Sequence, residues 1–227
     1  LQKNIIKHIA VIMDGNRRWA KQKGLSILEG YKEGLKTLES FLDIVISKKI
    51  EVITLYAFST ENWQRSTEEI NYIKKLLITY LTTKSDVLFK NNIRFIAIGS
   101  YEDFGKDIAL KIKELEEKTS KFNNLTMYLA LNYGARQEII KAVNEIVALQ
   151  KKDIDIDNFK DFLYTKNIID PDIIIRTGGE KRLSNFLLFQ ASYSELFFLD
   201  KMWPDFNIDD LNIIMDKFYK IERKYGK

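Results

Sequence analysis

The chain has 227 residues, 45% of them hydrophobic and 30% charged, enough for one large domain with a substantial buried core. Lys plus Arg number 36 against 32 Asp plus Glu. The resulting net charge of +4 is interspersed with acidic residues and gives no basis for a nucleic-acid partner. There is no cysteine, and His8 is the single histidine, so disulfides, thiolate nucleophiles, Cys-ligated metals and multi-His metal sites within one chain are excluded.

Taken in chain order, Leu1 to Lys7 carries no signal-peptide pattern, and no apolar run approaches the roughly 18 residues of a spanning helix. A cytoplasmic protein is expected, able to touch a membrane from that side. Ile9–Met13 reads as a buried strand, preceded by His8 as a strand-terminating residue. Glu29–Ile46 has helical spacing through Tyr31, Leu35, Leu38, Leu42, Val45 and Ile46. Val52–Phe58 is strand-like. Ser66–Phe89 reads as one long helix, opened by a Ser66/Glu69 capping-box pattern, with Ile70, Ile73, Leu77 and Leu81 on one face. A strand over Ile93–Ile98 precedes a charged helix from Glu102 to about Lys118. Strand Leu125–Leu131, helix Ala135–Leu149 and a weaker helix Ile156–Thr165 follow. Strands Ile173–Ile175 and Leu196–Leu199 and a last helix Ile208–Tyr225 complete the series. Such alternation predicts an α/β fold, a single domain over 1–227 with a central, mostly parallel β-sheet flanked by helices. Ligands of such sheets sit beyond the carboxyl ends of the strands.

Three polar loops fall there. Asp14-Gly15-Asn16-Arg17-Arg18-Trp19 offers close backbone approach at Gly15, a possible helix N-terminus for an anion, the charge of Arg18, and a hard oxygen ligand in Asp14. A carboxylate beside a phosphate needs a bridging cation, and Mg²⁺ does this with few protein ligands. The alternative is an Asp/Asn-rich turn with solvated arginines. In Ser59-Thr60-Glu61-Asn62-Trp63-Gln64-Arg65, the residues Ser59, Asn62 and Arg65 form a phosphate-compatible set, with Trp63 placed to wall an apolar substrate. The alternative is the approach to a capped helix with Trp63 as a staple. Arg176 to Phe186 combines Gly178-Gly179 with Arg176, Arg182 and Ser184, an anion site by composition but neither a Walker loop nor GxGxxG. Glu195 precedes the last strand and by itself reads as an exposed carboxylate. Arg18, Arg65, Arg176 and Arg182 together point to two polyanionic groups bound side by side. The apolar faces of the two long helices can line a cavity or be plain core. No Ser-His-Asp set exists, which argues against acyl chemistry.

The blocks His8 to Ala20, Thr54 to Trp63, Ile175 to Glu180, Ser184-Asn185-Phe186-Leu187-Leu188 and Trp203-Pro204-Asp205-Phe206 are collinear and span nearly the whole chain. Together they resemble the signature blocks of undecaprenyl diphosphate synthases, a family of cis-prenyltransferases. The resemblance implies an apolar tunnel, a homodimer, and Mg²⁺-dependent condensation of isopentenyl diphosphate with an allylic diphosphate, farnesyl diphosphate. The product would be a medium-long polyprenyl diphosphate serving as bacterial cell-wall lipid carrier and delivered to the membrane. By matching position, Asp14 would bind Mg²⁺, and Gly15, Asn16, Arg17 and Arg18 would cradle the allylic diphosphate with Trp19 beside it. Asn62, with Ser59, Thr60 and Glu61 around it, would occupy the position of proton removal. An amide is a poor base, so it would orient a diphosphate oxygen or water. Trp63 and Arg65 would complete that wall. Arg176, Arg182, Leu183 and Ser184 would hold isopentenyl diphosphate, and Glu195 would share the metal. Two positions depart from the family pattern: Ile27 stands where an arginine is usual and Tyr31 where a histidine is usual. Tyr31 keeps a hydrogen-bond donor, and Arg17 can compensate for the missing charge. Trans-prenyltransferases are all-helical with DDxxD pairs, absent here. Accessory subunits of heteromeric cis-prenyltransferases lose the first-loop aspartate, which this chain keeps as Asp14. An unrelated nucleotide-binding protein is the remaining alternative.

Overall fold

A computed structural model describes residues 5–83 and 85–223. Strand β1, His8–Ile12, is buried along its whole length. It pairs in parallel with β2, Val52–Ser59, on one side and β5, Ile173–Arg176, on the other. Outward from β2 lie β4, Leu125–Tyr133, and β3, Ile93–Ile98; outward from β5 lies β6, Glu195–Phe198. The order is β3-β4-β2-β1-β5-β6, and every pairing is parallel. Runs such as Ile9-Ala10-Val11-Ile12 and Ile173-Ile174-Ile175 suit strands covered on both faces. One face packs on α2, Ile27–Ser47, through Leu38, Phe41, Leu42 and Val45, and on α3, Thr67–Thr83, through Leu77, Tyr80 and Leu81. The other face carries Ala10, Ile12, Tyr128, Ala130 and Ile174, covered by Phe186 from the loop after β5.

Several boundaries differ from the sequence reading. The possible helix after Gly15 exists as α1, Asn16–Gln22, and α2 begins two residues before Glu29 because Ser26 and Glu29 close a capping box. The single helix expected over Ser66–Phe89 is two: α3 is followed by a short α4, Asp86–Lys90. Thr79, Thr82 and Thr83 each donate to the carbonyl four residues back near this break, a contact that weakens helix continuity. Residues 101–104 form a 3₁₀ turn, and Gly105 at φ +118° separates it from α5, Lys106–Thr119. After α6, Ala135–Ala148, the weak helix shrinks to α7, Ile156–Lys160. The last helix, α8, spans Ile208–Lys220; Tyr225, its expected end, lies outside the described residues.

His8 does not terminate the strand but begins it, fully buried. Its Nδ1 lies 2.6 Å from the Ile169 carbonyl, and its Nε2 lies 2.8 Å from Thr54 Oγ1. Burial pushes its pKa down from 6.5 to about 4, although the Ile169 carbonyl and Asp172 oppose the shift. The folded state therefore binds this proton less readily than the unfolded chain. Stability from neutral His8 is complete above pH 6.5 and is lost as the pH falls toward 4. Urea unfolding is expected to show a loss of about 2 kcal/mol from this group between about pH 7 and pH 5. The slope should be absent in His8→Gln; an unchanged slope in that variant would assign the pH dependence to other groups.

Candidate active site

The chain leaves β1 toward β2, whereas it leaves β5 toward β6 on the opposite side. The gap beyond β1 and β5 is thus a topological switch point, where an open parallel sheet leaves a crevice. Asp14 follows β1 and Arg176 ends β5. Across the gap Arg176 Nη2 donates to Asp14 Oδ2 at 2.9 Å. Arg176 is only 5% exposed, and its Nη1 also donates to Ser184 Oγ and the Arg182 carbonyl, both at 2.6 Å. Arg18 Nη2 lies 3.2 Å from the second Asp14 oxygen. The backbone is built for this closeness. Gly178 sits at φ +88°, and a Cβ there would lie 2.6 Å from Arg18 Nη2. The Asp14 carbonyl is pinned by Thr177 Oγ1 at 2.7 Å and the Trp203 N–H at 3.0 Å.

This cluster forms the polar mouth of a cavity of about 1070 Å³. Gly15, Asn16, Arg17, Tyr31, Ser59, Asn62, Arg65 and Ser184 share the mouth, as do Gly24, Leu25, Ser26 and Ile27. Deeper walls come from Leu35 and Leu38 of α2, Ile73, Leu77 and Tyr80 of α3, and Phe58, Leu129 and Leu131 of the sheet. The inner faces of the two long helices therefore serve partly as lining rather than only as core. Asn62 Oδ1 is engaged by the Ser59 N–H at 3.1 Å, so what it presents to the cavity is its amide N–H₂.

Glu69, read from the sequence only as a capping residue, binds three side chains of the mouth. Ser66 Oγ accepts from the Glu69 N–H as the capping pattern requires, but the Glu69 carboxylate turns elsewhere. Its Oε1 accepts from Tyr31 Oη at 2.7 Å and lies 3.3 Å from Arg65 Nη1; its Oε2 lies 3.4 Å from Arg17 Nη1. Arg65 Nη1 also donates to Tyr31 Oη at 2.8 Å. Burial raises the Tyr31 pKa, so the phenol stays a neutral donor. A half-buried Tyr31 and a buried carboxylate thus orient two arginines at the mouth. Ile27, 39% exposed, adds apolar surface to it. Tyr56 also lines the mouth; its hydroxyl lies 3.0 Å from the Tyr133 carbonyl and 3.3 Å from that of Ser184.

Other candidates lie beside the cavity instead of in it. Trp19 is buried and donates to Asp205 Oδ1 at 2.8 Å. Trp63 does not wall the cavity: its indole donates to Asn132 Oδ1 at 2.8 Å and its ring packs on Phe58 and Phe104. Thr60 and Glu61 lie in the 3₁₀ turn Thr60–Gln64, behind Asn62. Leu183 packs on the opposite-face core, and Arg182 is exposed and paired with Glu180. Glu195 is not brought to Asp14 within the chain. It starts β6 opposite Ile173, three residues below Arg176, about 10 Å down the sheet. The expected last strand, one residue later, had placed it in a loop.

A family model described as "Putative undecaprenyl diphosphate synthase" matches residues 12–226. The chain belongs to this family of prenyltransferases. A ditrans,polycis-undecaprenyl-diphosphate synthase of Micrococcus luteus, designated (2E,6E)-farnesyl-diphosphate specific, is 42% identical, covering 98% of this chain and 92% of its own. Among solved structures, a probable undecaprenyl diphosphate synthase from Campylobacter jejuni has a TM-score of 0.85 at 35% identity, with 99% of this chain and 100% of that one covered. Lavandulyl diphosphate synthase from Lavandula x intermedia, in complex with dimethylallyl diphosphate, has a TM-score of 0.93 at 30% identity over 98% of both chains. The family match spans all three polar loops, so the cationic mouth and the apolar cavity occur together in a prenyltransferase fold.

Proposed function

We propose that this enzyme condenses isopentenyl diphosphate with farnesyl diphosphate and repeats the addition to give undecaprenyl diphosphate, the lipid carrier of bacterial cell-wall synthesis. The observation that carries this reading is the Asp14–Arg176 pair at the switch point, opening directly into a large apolar cavity. Guanidinium groups suit diphosphates, and the cavity suits the isoprenoid tail. Arg17, Arg18 and Arg65 would face the allylic diphosphate, and Arg176, Arg182 and Ser184 the diphosphate of the second substrate.

In the reaction the C–O bond of the allylic diphosphate breaks and the diphosphate leaves. The terminal alkene carbon of isopentenyl diphosphate bonds to the allylic carbon, and a proton is lost from the adjacent methylene to give the cis double bond. Arginine N–H groups stabilise the charge growing on the leaving oxygens. Because the Asn62 carbonyl is already engaged, its free N–H₂ orients the diphosphate oxygen or water that takes the proton. Asp14, a carboxylate at the mouth with its side chain 30% exposed, has the donor chemistry for Mg²⁺ completed by diphosphate oxygens and water. When bound there, the ion supplies Lewis-acid stabilisation of the departing diphosphate. Each added five-carbon unit buried in the cavity stabilises the complex by up to about 4 kcal/mol, which favours growth over release.

Ile140, Val143, Val147, Leu149 and Ile156 leave an exposed apolar face along α6 and the segment after it. We assign this face to a homodimer, which light scattering of the purified chain would detect or refute. No helix among the described residues is long and apolar enough to cross a membrane. The enzyme is proposed to act on the cytoplasmic side and to pass its product to the bilayer. The test is incubation with labelled isopentenyl diphosphate and farnesyl diphosphate, with Mg²⁺ or with chelator, and separation of products by length. Metal-dependent polyprenyl products are expected. A single condensation would overturn the long-chain reading, and no incorporation would overturn the function.

A further inference from the structure

The segment after β5, which lines the cavity at Ser184, has a strained backbone. Ser184, Asn185 and Leu187 all have left-handed φ, at 49°, 65° and 45°. Among these only asparagine adopts that region readily, and such runs persist where surrounding contacts over-determine them. Phe186 supplies one anchor: it is fully buried and stacked on Tyr56 at 4.4 Å and 14°. Asn185 supplies the other. Its Nδ2 donates to Glu61 Oε1 at 3.0 Å and to Gln137 Oε1 at 2.9 Å, while its Oδ1 accepts from the Arg136 N–H at 2.9 Å. Its carbonyl accepts from the Ala135 N–H at 2.8 Å. Gly134 leaves room for this arrangement, since a Cβ there would lie 2.5 Å from Asn185 Nδ2 and 2.9 Å from Thr60 Oγ1.

One side chain therefore ties together three segments: the loop after β5, the turn after β2 and the start of α6. Its neighbour Ser184 contacts Arg176, and the neighbour of its partner Glu61 is Asn62, which faces the cavity. We propose that Asn185 is a positioning residue that holds the Asn62 turn and the Arg176–Ser184 loop at a set separation, so that both substrates meet in register. The proposal rests on the two-diphosphate reading above. Asparagine suits the task because a short stem carries two donors and one acceptor. Aspartate has the same shape but no donor, and it sets a second carboxylate against Glu61.

The experiment measures kcat, both KM values and Tm for wild type, Asn185→Asp, Asn185→Ser and Asn185→Asp/Glu61→Gln. Displacing a positioned group by about 1 Å can cost about 100-fold in rate. Asn185→Asp is expected to lower kcat about 10- to 100-fold and to raise the KM for isopentenyl diphosphate. In the double variant the new amide at 61 can donate to the new carboxylate at 185, so at least about a threefold recovery of kcat is expected. Asn185→Ser removes the contact without adding charge and should show a smaller loss of kcat with the protein folded. Wild-type kinetics in both single variants would overturn the proposal. So would kcat that merely follows Tm with no recovery in the double variant. If Asn185→Asp fails to fold, Asn185→Ser decides alone through its kcat at matched folded fraction. An inactive wild type would instead refute the functional reading itself.

Discussion

Asp14→Ala is expected to lower kcat by about 100-fold or more while the protein remains folded. In the proposed reaction Asp14, between Arg18 and Arg176, lies beside the leaving diphosphate, and of the two carboxylates proposed for the metal, Asp14 and Glu195, it is the one that lines the cavity. A contact made mainly in the transition state appears in kcat when removed, with losses of about 100- to 1000-fold for one stabilising group. Folding should survive because Arg176 keeps Ser184 Oγ and the Arg182 carbonyl as partners, and the Asp14 backbone remains pinned by Thr177 and Trp203. Asp14→Asn separates the two roles. It can still accept from Arg176 but has lost the charge a divalent cation requires, so it should resemble the alanine variant in kcat and shift the Mg²⁺ dependence upward. Near-wild-type turnover of Asp14→Ala in saturating Mg²⁺ would end the metal assignment.

The strands and the loops beyond them were legible because a doubly covered parallel sheet writes itself as short β-branched runs followed by polar turns. Hence Ile9–Met13 and Ile173–Ile175 located Asp14 and Arg176 to within a residue, and the polar loops converged as the switch-point rule requires. What was not legible was the direction of side chains that serve two patterns at once. Glu69 matched a helix-capping box, yet its carboxylate is drawn to Arg17, Arg65 and Tyr31 beside the cavity mouth, a charge-assisted set that outweighs a surface cap. Trp63 lay between polar residues and read equally as a cavity wall or a helix staple; its indole turns to Asn132 and its ring to Phe58 and Phe104. Glu195 was placed by matching position to share a metal, but the parallel register sets it at the opposite end of β6 from Phe198, which pairs with Arg176. Asn185, in the block Ser184 to Leu188, showed no role in the sequence, since its partners Glu61, Arg136 and Gln137 are distant along the chain and only the fold assembles them.

Arg176→Ala and Arg182→Ala are expected to differ sharply, although composition made the two arginines look alike. Arg176 is the buried hub linking Asp14, Ser184 and the Arg182 carbonyl, whereas the Arg182 side chain is 59% exposed and paired with Glu180. A charge-assisted hydrogen bond contributes about 1.5–3 kcal/mol, so losing Arg176 should raise the KM for isopentenyl diphosphate about 10- to 100-fold. It should also lower kcat, because Asp14 and Ser184 both lose the partner that aims them. The exposed, solvent-screened contact of Arg182 contributes less than about 1 kcal/mol, and its loss should raise the same KM only a few-fold with kcat nearly unchanged. Lysine at 176 has one point of charge where the hub uses a planar fork, so Arg176→Lys should recover little of the lost kcat. Steady-state kinetics with each substrate varied in turn checks all of this. If the allylic KM rises in Arg176→Ala while that of isopentenyl diphosphate stays constant, the two diphosphates have been assigned to the wrong halves of the mouth. If Arg182→Ala proves as costly as Arg176→Ala, the exposed loop must fold over the substrate on binding, and the hub at Asp14 is not where the second diphosphate is chiefly held.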